Sequence, residues 1–178
     1  RPRMASGPLQ GQLLRMFMQM IQPGTVVEIG TYSGYSALAM ASGMSQGSRI
    51  ITFEINDEQE CFTRPWLEAA PYPAQIDMVV GNVFELLPPM QLSIDAAFID
   101  ANKREYTEYY ELLMPYTHSG SIILADNTLW DGHVIDPAYD HDPQTTAIRR
   151  FNAHVAADPR VEQIILPERD GLTLIRVI

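Results

Sequence analysis

The sequence predicts an α/β fold of the Rossmann-like, doubly wound kind: a mostly parallel seven-stranded sheet with an antiparallel strand at one edge and helices on both faces. Three observations carry that expectation. Short apolar runs alternate with stretches of helical spacing along most of the chain. Several of those runs end in an acid or a glycine just before a helix begins. The last two runs are separated only by the turn PERDG (167–171). Successive strand–helix units require parallel pairing through right-handed crossovers, and a strand–turn–strand ending adds an antiparallel pair.

The elements follow in order. Leu13, Phe17, Met20 and Ile21 share one helical face, read as core, and TVVEIG (25–30) is a short buried strand closed by glycine. Tyr35, Leu38 and Ala39 continue as a helix, RIITFE (49–54) is the second strand, and residues 57–69 form the next helix. AQIDMVVG and SIDAAFID supply the third and fourth strands. Tyr106, Tyr109, Tyr110 and Leu113 then mark a helix face that ends at Pro115, since proline cannot continue a helix. GSIILADN is the fifth strand, 144–157 a helix, and 160–166 and 171–177 the closing strands. No repeat, low-complexity run or linker divides the chain, so residues 1–178 are expected to form one domain.

Composition narrows the partners. A net charge of −10 and a pI near 4.7 argue against nucleic acid, whose binders present a basic face. The single cysteine, Cys61, cannot make an internal disulfide, and neither a signal peptide nor an 18-residue apolar span is present. A soluble, reducing, cytoplasmic setting with no membrane partner is expected. The chain opens on Arg1 rather than Met, so further residues are expected ahead of it.

In open sheets of this type ligands bind beyond the carboxyl ends of the strands. Glu28, Glu54, Asp100 and the Asp126-Asn127 pair all fall at that edge. EIGTYSGYS puts Gly30 and Gly34 in the first strand-to-helix turn, where backbone passes close to a ligand, and Glu54 follows Gly30 by 24 residues, the place of an acid that accepts ribose hydroxyls. Tyr32 stands where a dinucleotide fingerprint has its second glycine, which disfavours a pyrophosphate and leaves an adenosine ligand open. Asp100, Asp126 and Asn127, on strands expected roughly 4.8 Å apart, make an all-oxygen set suited to a hard divalent cation. An Asp cap and an Asx turn remain the plainer reading of those residues. The loop DGHVIDPAYDHD (131–142) matches no metal-ligand spacing and reads as a solvated acidic loop, while His118 and His154 carry no motif and are taken as structural.

Between the two acidic strand ends stands Lys103, the only lysine in a chain with eleven arginines. A guanidinium keeps its proton in proteins; an ammonium becomes a usable base when nearby positive charge disfavours its protonated form.

MASGPLQG, VVEIGTYSGYSALAMA, ITFEIND, VVGNVFELLP, FIDANKREY, ILADNTLW and AADPRVEQIILPERDGLTLIRV, in that order, resemble the cation-dependent O-methyltransferases that include catechol and caffeoyl-CoA O-methyltransferases. The resemblance spans essentially the whole chain. It implies S-adenosylmethionine as cofactor, with Glu54 on the ribose, Ser36 and the backbone around Ser6 and Gly30 to Ser33 (including Tyr32) near the methionine part, and Asn82 with Val83 near the adenine. Glu28 and Asp100 complete the implied cofactor set. Asn82 departs from the acid or proline many members carry there. The resemblance also implies Asp100, Asp126 and Asn127 as ligands of a divalent cation, Mg²⁺ foremost with Ca²⁺, Mn²⁺ or Zn²⁺ open, Lys103 as general base, and Trp130 and Asn102 in the acceptor pocket. Asn102 replaces an aromatic residue of the catechol enzymes. Helices that many members place ahead of MASG are missing from this sequence, and a homodimer is expected because members are commonly dimeric.

The expected reaction moves a methyl group from S-adenosylmethionine to a hydroxyl of a small vicinal dihydroxy aromatic. The acidic loop after Trp130, with Asp131, Asp136, Asp140 and Asp142, is expected to border the pocket and repel the phosphates of a CoA ester. A CoA-linked phenolic acceptor, a nicotinamide dehydrogenase and a noncatalytic adenosine-binding protein are the alternatives.

Overall fold

A computed structural model describes residues 7–178, so Ser6 lies outside the described residues. Its centre is β1 (Thr25–Ile29), which pairs in parallel with β2 (Arg49–Glu54) on one side and β4 (Ile94–Ile99) on the other. The chain builds outward from β2 to β3 (Gln75–Val80), then returns to add β4 and β5 (Thr117–Asp126) in the opposite direction. With β6 (Val161–Leu166) and β7 (Leu172–Val177) added, the strand order β3-β2-β1-β4-β5-β7-β6 reverses between β1 and β4, the switch point where such sheets open a crevice. The antiparallel pairing lies at the expected edge. There β7 is inserted between β5 and the outermost strand β6, antiparallel to both.

Alternation along each strand splits the core in two. On β1, Val27 and Ile29 face a cluster with Ile99, Tyr106, Tyr110 and Phe151, under α5 (Tyr106–Leu113) and α6 (Pro143–Ala157). Val26 faces the other cluster with Leu14, Met18, Met40 and Phe98, under α1 (Pro8–Ile21) and α2 (Tyr35–Ala41). Two further helices lie between β2 and β4. α3 (Glu60–Glu68) follows a 3-10 turn over Asp57–Gln59 whose start is capped by Asn56, so the expected helix at 57–69 begins one turn late. α4 (Val83–Leu86) was not expected as an element; it is a single turn capped by Asn82.

α1 turns a different face inward from the one expected. Leu14 and Met18 are fully buried with Gln10 and Gly11, Leu13, Phe17 and Ile21 are half-buried, and Met20 is 66% exposed. Apolar residues lie nearly all round this helix, so its own periodicity leaves the orientation open. Close packing decides it: a Cβ on Gly11 would stand 2.8 Å from the Tyr35 hydroxyl of α2, and one on Gly43 would stand 2.3 Å from the carbonyl of Arg15. β5 also starts earlier than expected, at Thr117, with a register irregularity opposite Ile94–Ala96. No helix among the described residues is long and apolar enough to cross a membrane.

The carboxyl ends of β1 and β4 touch at Gly30. Its φ is +102°, and a Cβ there would lie 2.1 Å from the backbone oxygen of Asp100. Gly30→Ala combines a disfavoured backbone angle with a clash against backbone that cannot yield, so it should cost at least about 2 kcal/mol and lower Tm by roughly 5 °C. Differential scanning calorimetry of the variant against the parent chain checks this; an unchanged Tm contradicts it.

Candidate active site

The five parallel strand ends surround a cavity of about 1000 Å³. Gly30 and Tyr32 line it after β1, Glu54 and Ile55 after β2, and Gly81 to Phe84 after β3. Asp100 to Lys103 line it after β4, and Asp126, Asn127, Trp130 and Asp131 after β5. The β6–β7 turn adds Arg169 and Asp170 from the far side.

At one end Glu54 is fixed rather than free. Its Oε2 accepts the Tyr32 N–H at 2.8 Å and its Oε1 accepts the Asn56 N–H at 3.0 Å. Tyr32 holds a left-handed backbone (φ 45°), with its carbonyl taken by the Thr63 hydroxyl at 2.6 Å. Each carboxylate oxygen keeps further acceptor capacity toward the cavity, the arrangement a pair of neighbouring hydroxyls needs. The Asn82 side chain is spent on α4, accepting from Phe84 N–H and donating to Glu85, so this stretch offers mainly backbone and Val83 to a ligand.

Glu28, Ser33 and Ser36 are absent from the cavity lining. Glu28 and Ser36 sit one layer behind it. Ser36 and Thr52 each donate to one oxygen of the fully buried Glu28 at 2.5 Å, and Thr31 joins through Thr52 at 2.6 Å. Burial pushes the Glu28 carboxyl up to about 7, against the lowering effect of those hydroxyls.

At the other end Lys103 is 8% exposed. Its Nζ donates to Asp100 Oδ1 at 2.7 Å and to the Tyr106 hydroxyl at 2.6 Å, and that hydroxyl donates onward to the backbone oxygen of Asp126 at 2.9 Å. Burial raises the Tyr106 phenol well above 10, so it keeps the proton it donates. The parallel register Ile99↔Ala125 brings Asp100 and Asp126 side by side. Burial first and the neighbouring Asp100 charge second lift the Asp126 carboxyl to about 6, while the Asn127 N–H donates to its Oδ1 at 2.8 Å. Two carboxylates and the Asn127 amide, which lines the same cavity on a left-handed backbone (φ 59°), form an oxygen-only donor set with crowded negative charge. A hard divalent cation fits such a set.

Other expected features separate from this cavity. His118 Nε2 lies 2.8 Å from Asp95, and His154 Nε2 lies 2.6 Å from Glu111, so both histidines brace the fold. Glu111, His154 and Asp158 have ligand-like spacing, but the Arg160 guanidinium occupies both carboxylates at 2.8 and 2.6 Å. The acidic loop does not border the pocket as expected. Asp136 caps a turn at Ala138, Asp142 caps α6 at Thr145, and Asp140 pairs with Arg149 at 2.6 Å; only Asp131 reaches the cavity. Sequence reasoning passed over Tyr106 as a polar partner, although it lies one turn beyond Lys103, and over Arg169 and Asp170, which had no local signal.

A seven-stranded, switch-point sheet with an acid on one side of its crevice and a buried lysine between two acids on the other defines a Rossmann-like methyltransferase. The O-methyltransferase family model matches residues 1–178, and the chain belongs to that family. It is 31% identical to a catechol O-methyltransferase of Niastella koreensis, covering 97% of this chain and 82% of that one. It is 36% identical to a caffeoyl-CoA O-methyltransferase of Mesembryanthemum crystallinum, covering 95% and 71%. Among solved structures, an O-methyltransferase from Bacillus cereus in complex with SAH superposes with a TM-score of 0.91 at 30% identity over 98% of this chain and 83% of that one. The protein is an S-adenosylmethionine-dependent O-methyltransferase.

Glu28 makes stability depend on pH. The folded state keeps its proton up to about 7 whereas the unfolded chain releases it near 4.5, so between those values the folded state binds more protons and stability falls as pH rises. The contribution is complete below 4.5 and lost above 7, a difference of roughly 3 kcal/mol. Glu28→Gln should flatten that slope. Urea unfolding of both chains at pH 5 and pH 8 measures it, and parallel losses in the two chains would contradict the assignment.

Proposed function

We propose that the enzyme is divalent-cation-dependent and methylates one hydroxyl of a small vicinal dihydroxy aromatic. The observation that carries this reading is the meeting, in one cavity, of the Glu54 carboxylate with the Lys103 ammonium and the Asp100–Asp126–Asn127 oxygens. When bound, S-adenosylmethionine supplies the electrophilic methyl group and the cation supplies Lewis acidity toward the two acceptor oxygens. Glu54 would accept the ribose hydroxyls, the Gly30–Tyr32 backbone would meet the methionine part, and Val83 would pack on the adenine. Asp100, Asp126 and Asn127 would hold the cation. With cationic groups bound beside it Lys103 would give up one proton, and as the neutral amine it would take the phenolic proton at Nζ while Tyr106 and Asp100 fix where that nitrogen sits. The deprotonated acceptor oxygen would take the methyl group as the carbon–sulfur bond breaks, with S-adenosylhomocysteine as the leaving product. Trp130 and Asn102 wall the acceptor.

The charge at the mouth favours a free catechol over a CoA thioester, on residues other than those first expected. Asp131, Asp170 and Glu105 line the cavity with Arg169 as the one arginine among its lining residues. Arg149 is held by Asp140 and three loop carbonyls, and Arg150 pairs with Glu108, so neither is at hand for phosphates.

Lys103→Arg keeps the charge and removes the base, so kcat for a catechol should fall by about 10² or more while calorimetry still shows cofactor binding. Asp126→Ala, or excess chelator, should abolish transfer with cofactor binding retained. An arginine variant that turns over like the parent, or full activity in chelator, sinks the respective assignment. Comparing kcat/KM for caffeic acid and caffeoyl-CoA tests the acceptor: a clear preference for the thioester would reverse the choice.

A further inference from the structure

The segment that follows Asn127 is an improbable piece of backbone. Trp130 and Asp131 both adopt left-handed angles (φ 50° and 51°), and Gly132 follows at 78°. Side chains disfavour that region, and two such residues in a row persist only where surrounding bonds impose them. The bonds come from the turn between β6 and β7. The Thr128 N–H donates to the Gly171 carbonyl at 3.1 Å, and the Leu129 N–H donates to the Asp170 carbonyl at 2.9 Å, extending the β5–β7 pairing by two residues. The fit is close: a Cβ on Gly171 would stand 2.7 Å from the Leu129 nitrogen. Beyond Leu129 the backbone pairing stops. The peptide joining Trp130 to Asp131 is then held by a side chain, with Asp170 Oδ1 accepting the Asp131 N–H at 2.5 Å.

From this geometry we infer that Asp170 is a specificity-determining positioning residue: it locks the Trp130–Asp131 peptide and thereby sets the indole that walls the acceptor compartment. It acts through Trp130 and so decides which of two adjacent acceptor hydroxyls faces the transferred methyl. A charge-assisted hydrogen bond to backbone is strong enough for that task. Asp170, Trp130 and Asp131 all line the cavity, so a loosened peptide changes the wall itself. The inference rests on the proposed acceptor class for its consequence in catalysis, but the clamp is a property of the chain alone.

Two arms test it. In a Trp66→Phe background, which leaves Trp130 as the only indole, Asp170→Ala should raise acrylamide quenching of the remaining fluorescence without any cofactor present. With an unsymmetrical catechol, Asp170→Ala should raise acceptor KM by about tenfold, the worth of one hydrogen bond to a charged group, and shift the ratio of the two monomethyl products. Affinity for S-adenosylhomocysteine should stay at the parent value. Asp170→Asn retains an accepting oxygen of the same reach and should keep both the quenching and the product ratio. Asp170→Ser, too short to reach the Asp131 N–H, replaces the alanine variant if that does not fold. Unchanged quenching and product ratio in the alanine or serine variant, or an asparagine variant that behaves like alanine, overturns the clamp. If the parent chain methylates no catechol, the functional reading fails while the fluorescence arm still decides the clamp.

Discussion

The carboxyl edge of the sheet is organised around one buried ammonium. Burying a cation is costly unless its protons are satisfied, and the Lys103 Nζ meets that demand with Asp100 on one side and the Tyr106 hydroxyl on the other. Tyr106 in turn donates to the backbone of Asp126, so a single chain of polar contacts ties the end of β4 to the end of β5. A lysine suits this place and an arginine does not, for reasons of fit as well as acidity. Three protons on a point charge match two protein acceptors with one to spare, whereas a guanidinium would bring five donors in a rigid fork.

The two ends of the cavity are built on different principles. Around Glu54 the partners are backbone N–H groups and a strained tyrosine, which fix a carboxylate in place. Around Asp126 the carboxylate is crowded by burial and by a like charge, which raises its affinity for any positive partner. The first end suits neutral hydroxyls, and the second suits positive charge. The switch point between β1 and β4 lets both open onto the same space.

Much of this was legible in the order of residues, because strands close with a marked punctuation. RIITFE, SIDAAFID and GSIILADN each combine an apolar run with an acid at or next to its end, TVVEIG closes on Gly30, and parallel pairing then gathers those ends at one edge. What escaped has a common cause. Asp170 meets Asp131 across 39 residues, and no local spacing announces such a bond. The acids at 136, 140 and 142 look alike in sequence, yet whether one caps a turn or faces a ligand depends on where the next helix begins and on Arg149. α1 is apolar on nearly every side, so only contact with Tyr35 and the backbone approach at Gly43 could choose its inner face.

The late position of β7 has a bearing on biosynthesis. Residues 172–177 emerge after both of the strands they separate, and the turn ahead of them is the piece that grips the loop carrying Trp130. The strands that carry the Gly30, Glu54, Gly81 and Asp100 ends of the cavity are all made once β4 has left the ribosome. A nascent chain thus carries the strands of the Glu54 end of the cavity before the turn that grips the Trp130 loop has been made.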